Sequence, residues 1–167
     1  MKRTKKMSDN TLLKITGEVE SPIELSFDDL TAIDPSHQIQ DVSSIDPNRK
    51  GDAVQLRGLL ELTKVRANAK YIGLHASTDN FHASIPLEPV HDRAIVIYRL
   101  NDQPLDTKAG GPVRFFIPNF AACHTDEIDE CANVKFVDHI ELTIEKGYDN
   151  RPEDDESHEE LHRDEAI

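Results

Sequence analysis

The sequence predicts an α+β fold: a mixed β-sheet domain with a few short helices. Three observations lead there. Short segments of alternating or mostly apolar character recur from about residue 11 to residue 147. Only two or three stretches show helical caps or helical spacing. The strands also follow one another without the regular intervening helix of a parallel βαβ sheet.

The elements are read in chain order. Leu13, Ile15 and Val19 alternate with polar residues as a strand does, with Gly17 as a bend. Pro22-Ile23-Glu24-Leu25 continues extended. Ser26-Phe27-Asp28-Asp29-Leu30 is a helix start, with Ser26 as N-cap, Asp29 three residues on, and both acids favoured by the helix dipole. A third strand over residues 38–42 leads to the loop Asp46-Pro47-Asn48-Arg49-Lys50-Gly51. Leu56, Leu59 and Leu60 at helical spacing predict a helix over residues 55–65. Residues 70–76, 81–85 and 94–100 are three further strands, the first two joined by the turn residues Ser77-Thr78-Asp79-Asn80. Residues 113–117 and 139–144 complete the set.

Composition divides the chain in three. Residues 1–10 form a basic arm with Lys2, Arg3, Lys5 and Lys6; residues 11–147 carry nearly all the apolar residues and form the folded domain; residues 148–167 form an acidic tail expected to be solvated. Residues 149–165 hold nine acids against Arg151 and Arg163. That tail is a solubilising extension or a contact for a protein partner. The net charge of −13 argues against nucleic acid and against an anionic membrane surface, since phosphates would be repelled. No apolar run follows the basic start, and no segment is long enough to cross a bilayer, so the expectation is a cytoplasmic chain with reduced thiols.

The most specific segment runs Arg99-Leu100-Asn101-Asp102-Gln103-Pro104-Leu105, then Gly110-Gly111-Pro112-Val113-Arg114-Phe115-Phe116-Ile117-Pro118. Asn101-Asp102 is a turn between strands. Gly110-Gly111 opens backbone angles closed to other residues. Arg114 interrupts an apolar strand, and a guanidinium there needs carboxylate, carbonyl or ligand oxygens.

This segment resembles the "NG-x-PL … GxPxR … P" run of the molybdopterin oxidoreductase family of sulfite-oxidase type. The resemblance continues in order over roughly 130 residues. Ile15-Thr16-Gly17-Glu18-Val19 with Leu25 and Asp28-Asp29-Leu30 is similar to the family's opening strand and helix. Ala53-Val54-Gln55-Leu56-Arg57-Gly58-Leu59-Leu60 resembles its "GVxLxxLL" helix, and Thr78-Asp79-Asn80-Phe81 stands where "DGY" is usual. Asn133-Val134-Lys135-Phe136 resembles the start of its "VKW" ending. The resemblance implies a molybdopterin-type cofactor and a two-electron step on a small anionic substrate. It implies cofactor contacts by Lys135, Asn133, Asn80 and Arg114. Arg114 would also hold an anionic substrate, and Asp79 would line the pocket as a second catalytic candidate.

The departures are specific. The family's molybdenum ligand is a cysteine thiolate ahead of the Leu-rich helix, whereas here Ile39-Gln40-Asp41-Val42-Ser43-Ser44-Ile45 contains no cysteine. Asp41 or Ser43 would offer a hard oxygen in place of a soft thiolate. Both cysteines of the chain stand instead in Cys123-His124-Thr125-Asp126-Glu127-Ile128-Asp129-Glu130-Cys131. Three readings of that loop stay open: a zinc or iron site on Cys123, His124 and Cys131, a disulfide or redox pair, or two packed thiols. Three functions stay open with them: a molybdopterin-dependent oxidoreductase, a non-catalytic module that keeps the fold without molybdenum, and a metal-binding or redox-sensing domain. His75 and His82 are hairpin partners that can share one pocket with Asp79, or serve as structural histidines.

Overall fold

The structure is a computed structural model and describes residues 11–119, 123, 128 and 132–151. Its elements are β1 (Thr11–Gly17), β2 (Ile23–Ser26), α1 (Phe27–Thr31), β3 (Gln38–Ile39), β4 (Asp52–Gln55), α2 (Leu56–Thr63), β5 (Tyr71–Ala76), β6 (Phe81–Pro86), α3 (Glu88–His91), β7 (Ile95–Leu100), β8 (Gln103–Pro104), β9 (Arg114–Phe116) and β10 (His139–Thr143). Single 3-10 turns fall between several of them. This is the α+β architecture that the alternation predicts.

Two sheets carry the fold. The larger has the order β2-β1-β10-β5-β6, with β1 and β10 parallel and the other pairs antiparallel. The smaller runs β3-β4-β7-β8, with β9 also on β7. Alternation sorts the faces. Leu13 and Ile15 of β1, Ile72 and Leu74 of β5, and Ile140 and Leu142 of β10 turn inward, fully buried. They pack in one cluster with Leu56, Leu59 and Leu60 of α2 and with Val96, Tyr98 and Phe115. The smaller sheet is apolar on both faces. Ala53, Ile95, Ile97 and Phe116 form a second cluster with Val42 and Leu105 on its other side. That second cluster floors the candidate site.

Local chemistry sets the element ends. Ser26 and Asp29 make the expected reciprocal cap, with Ser26 Oγ accepting from Asp29 N at 3.1 Å and Asp29 Oδ2 accepting from Ser26 N at 2.9 Å. α2 stops at Lys64, which takes a left-handed conformation (φ 55°). At the hairpin between β7 and β8, Asn101 and Asp102 both have positive φ, as a two-residue turn of that hand requires. Gly17 (φ 95°) lets β1 approach β10 so closely that a methyl group there would stand 2.1 Å from the Leu142 carbonyl oxygen.

Two expectations are corrected. The strand predicted over residues 38–42 ends at Ile39. Asp41 is left-handed (φ 66°) and caps a 3-10 turn over Val42–Ser44, which sends Val42 into the second cluster. The chain is also packed beyond Gly147. Ser84 N donates to Asp149 Oδ2 at 3.0 Å, His82 N donates to Asn150 Oδ1 at 2.8 Å, and Arg151 Nη2 meets Asp149 Oδ2 at 2.6 Å. Side chains of that ion pair are only 8% and 11% exposed. Burial works against the Asp149 carboxylate, but hydrogen bonds from Arg151 and from the Ser84 backbone outweigh it and hold its pKa below the usual value. The strap lies along β6, at the edge of the larger sheet, and occupies backbone groups that would otherwise face solvent. Counting apolar residues misses such a segment because polar contacts hold it.

Candidate functional site

The site is built where the smaller sheet meets the loops at its edge. Arg114 opens β9, directly opposite Ile97 of β7, and is half-buried; its Nη1 donates to the Ala109 carbonyl at 3.1 Å. Gly110 (φ 93°) is the reason two cations can stand together. A methyl group on it would lie 3.0 Å from Lys135 Cγ and 3.1 Å from Arg114 Cδ, so both side chains flank the space that the missing Cβ leaves. Phe136 N donates to the Gly110 carbonyl at 2.8 Å and fixes the Lys135 segment against that turn.

Arg114 lines a cavity of about 200 Å3 together with Asn48, Arg49, Lys50, Ile97, Leu100, Leu105 and Ala109. Its apolar floor is the second core cluster. Its polar groups are three cations and an amide. Arg49 is held by its guanidinium, 4.6 Å over the Phe116 ring, with Nε 4.0 Å from Asp46 Oδ2. That Nε is buried and makes no hydrogen bond. A buried donor beside two further cations is suited to an acceptor bearing negative charge.

The remaining expected residues are distributed elsewhere. Asp79 is exposed and lines a different cavity, of about 300 Å3, with Asp138, Thr78, Thr107 and Pro112. The segment from Thr107 to Pro112 therefore separates Asp79 from Arg114. Asn133 is a structural residue here: its Oδ1 accepts from Ile117 N at 2.8 Å. Asn80 caps the turn before β6 with φ 51°, and its Oδ1 faces His82 Nε2 at 3.2 Å. Cys123 carries a free thiol that packs on the main core, with Sγ 3.7 Å from the Pro89 carbonyl oxygen. His124 and Cys131, the other members of the expected zinc or iron trio, lie outside the described residues. No set of three potential metal ligands is assembled among the described residues.

The loop expected to hold molybdenum does not fit that role. It offers no sulfur, Val42 is buried in the second cluster, and the Asp41 carboxylate is engaged by Ser43 N and Ser43 Oγ as the cap of its own turn. The cationic cavity is also smaller than the roughly 300–1,000 Å3 usual for organic ligands, and so suits a small ion better than a fused-ring cofactor.

A row of basic side chains crosses the outer face of the larger sheet. Lys14, His139, His75 and His82 occupy paired positions on β1, β10, β5 and β6. The His75 and His139 ring centroids are 5.1 Å apart, and Thr16 Oγ1 lies 2.7 Å from His139 Nε2. Burial first, then the neighbouring His75 and Lys14, push the pKa of His139 below its ordinary 6.5; burial and His75 do the same to His82. Both groups therefore bind protons less readily folded than unfolded. Their contribution is complete above about pH 6.5 and is lost as pH falls below the unfolded-state value. With chelator present, thermal midpoints should fall from pH 8 to pH 5, and His139→Gln should flatten that slope. An unchanged slope would remove His139 from this account.

Arg49 and Lys50 are the site residues that sequence reasoning did not single out, although it placed them in a loop. The only signal available was two adjacent cations after a Pro-Asn turn in an acidic chain.

The family described as oxidoreductase molybdopterin binding domain matches residues 48–150. A crystal structure of the sulfane dehydrogenase SoxCD from Paracoccus pantotrophus shares the fold, with a TM-score of 0.58 and 19% sequence identity over 84% of this chain. The chain spans 40% of that protein's chain. No curated protein matches the sequence. No helix among the described residues is long and apolar enough to cross a membrane.

Proposed function

This chain belongs to the oxidoreductase molybdopterin-binding domain family, and on that premise we propose that it is a binding module for a small oxyanion that keeps the family fold without holding molybdenum through the loop before α2. The observation that carries the proposal is the convergence of Arg49, Lys50 and Arg114 on one small cavity, with a buried Arg49 Nε that has no hydrogen-bond partner. Lys135 stands beside Arg114 in the space left by the missing Gly110 Cβ.

The chemistry recognised is a tetrahedral or trigonal oxyanion of phosphorus or sulfur. Two planar guanidinium groups supply N–H donors in forks that match such oxygens, and Lys50 adds a point charge. A phosphate ester at the end of a larger molecule presents the same oxygens as a free ion. The chain's net charge of −13 does not defeat this, because screening limits the reach of any one acid's field to about 8–10 Å at ordinary ionic strength. A two-electron oxidation at a thiolate-held molybdenum would require a cysteine that residues 39–45 do not contain, and it forms no part of the proposal.

The test combines metal analysis with calorimetry on the full chain. Protein produced with ample molybdate should contain less than a tenth of an equivalent of molybdenum. Sulfite, sulfate, inorganic phosphate and a phosphate monoester should be titrated separately. Saturable binding of at least one, weakened by added sodium chloride, is expected, and the free-ion and ester arms identify the source. Stoichiometric molybdenum, or no binding of any of the four, overturns the reading.

A further inference from the structure

We propose that the Nδ1 atoms of His75 and His82 form a two-nitrogen chelate for a divalent transition-metal ion of the copper, nickel and zinc group, on the outer face of the larger sheet. The site shares no residue with the cationic cavity and does not rest on the function proposed for it. Its basis is hydrogen-bond geometry. His75 Nε2 lies 3.1 Å from Glu141 Oε1, and His82 Nε2 lies 3.2 Å from Asn80 Oδ1. A carboxylate and an amide oxygen only accept, so each takes the N–H of the ring nitrogen facing it. A neutral imidazole carries one N–H, which leaves both Nδ1 atoms as bare lone pairs. Those two atoms stand 2.8 Å apart. Two lone pairs do not face each other at that separation unless a positive centre lies between or beside them.

The spacing favours a metal ion for that centre. Two bonds of about 2.0–2.1 Å meeting near a right angle place their nitrogens about 2.9 Å apart, as in the tetragonal sites of copper(II) or nickel(II). Both rings are also supported in the way metal-bound histidines usually are, with the second nitrogen donating to an oxygen. The His75 side chain is 13% exposed while Glu141 is 42% exposed, so the pair is sheltered but reachable. The Tyr148 ring, 4.9 Å from the His82 ring, packs against that side chain. Among the described residues no third ligand converges on the same point. Copper(II) should bind most tightly of the three, by the usual order of divalent affinities.

The experiment uses the full chain stripped with chelator, in a Cys123→Ser, Cys131→Ser background so that thiols cannot hold the ion. Copper(II) and zinc(II) chloride are titrated by calorimetry, and the copper form is read by electron paramagnetic resonance. One equivalent of copper with hyperfine structure from two imidazole nitrogens is expected. His75→Gln and His82→Gln should each weaken it at least roughly tenfold, and Glu141→Gln should weaken it by a smaller factor. His158→Gln with His162→Gln, in the acidic segment, should leave it unchanged. Wild-type affinity in the His75 and His82 variants, or no binding at about 1 mM copper, overturns the proposal and leaves a shared proton between the rings. Should those variants unfold, the nitrogen hyperfine count of the parent decides: two imidazoles support the site, and none or one overturns it.

Discussion

Arg114→Met is expected to reduce oxyanion affinity at least tenfold while leaving the chain folded. A tenfold loss corresponds to about 1.4 kcal/mol, which is modest for a charge-assisted hydrogen bond removed from a sheltered site. Methionine matches the length of the arginine stem, so packing against Gly110 and Ile97 is largely kept. The donor to the Ala109 carbonyl is lost, and that carbonyl sits at a turn of partly accessible backbone. Arg114→Lys should fall between the two, since it keeps the charge but not the planar fork. The salt dependence of binding should shrink in the methionine variant because one cation fewer is engaged. Unchanged affinity in Arg114→Met, with the fold intact by circular dichroism, would show that Arg114 is only a structural residue.

Gly17→Ala is expected to be the most damaging single methyl group in the larger sheet. The new Cβ would stand 2.1 Å from the Leu142 carbonyl oxygen and 2.8 Å from the Leu142 nitrogen, both backbone atoms that cannot rotate aside. The residue is also left-handed at φ 95°, where L side chains are strained. The carbonyl in question accepts from Glu18 N at 2.8 Å, so moving it disturbs the parallel pairing of β1 with β10. A cost on the order of 3–5 kcal/mol follows, a large share of the roughly 5–15 kcal/mol of an ordinary domain. Urea unfolding measures it, and a midpoint change equivalent to less than 1 kcal/mol would show that the two strands separate easily.

Elements whose cause is local are legible in the sequence. The Ser26–Asp29 cap, the Leu56–Leu59–Leu60 face of α2, the Asn101-Asp102 turn and the alternation in β5, β6 and β10 all depend on neighbours a few residues away. Two kinds of feature are not. The first depends on partners distant in sequence: Arg49 and Lys50 join Arg114 only because β4 and β9 both flank β7. In the same way Glu141 reaches His75 only because β10 pairs with β5. Nothing within either segment encodes that register. The second kind is a departure from the usual price of polarity, as at Asp149–Arg151, where a polar stretch is ordered by its own ion pair and by backbone donors of β6. Asp79 and Asn133 were placed at the pocket through family motifs; the backbone puts one in another cavity and binds the other to Ile117 N.

The strand order of the larger sheet has a consequence for how this chain reaches its fold. Its last strand, β10, lies between β1 and β5, so the two halves of the sheet are joined only when β10 meets β1, more than a hundred positions away in sequence. Until residues 139–143 have left the ribosome, β1–β2 and β5–β6 remain two hairpins, each with an open edge where β10 belongs. Closure is therefore a late event on the synthesis timeline, slowed by the long loop that must be drawn together. The interval before it is when a nascent chain of this kind depends most on a holding chaperone, because both waiting edges are templates for pairing with another chain.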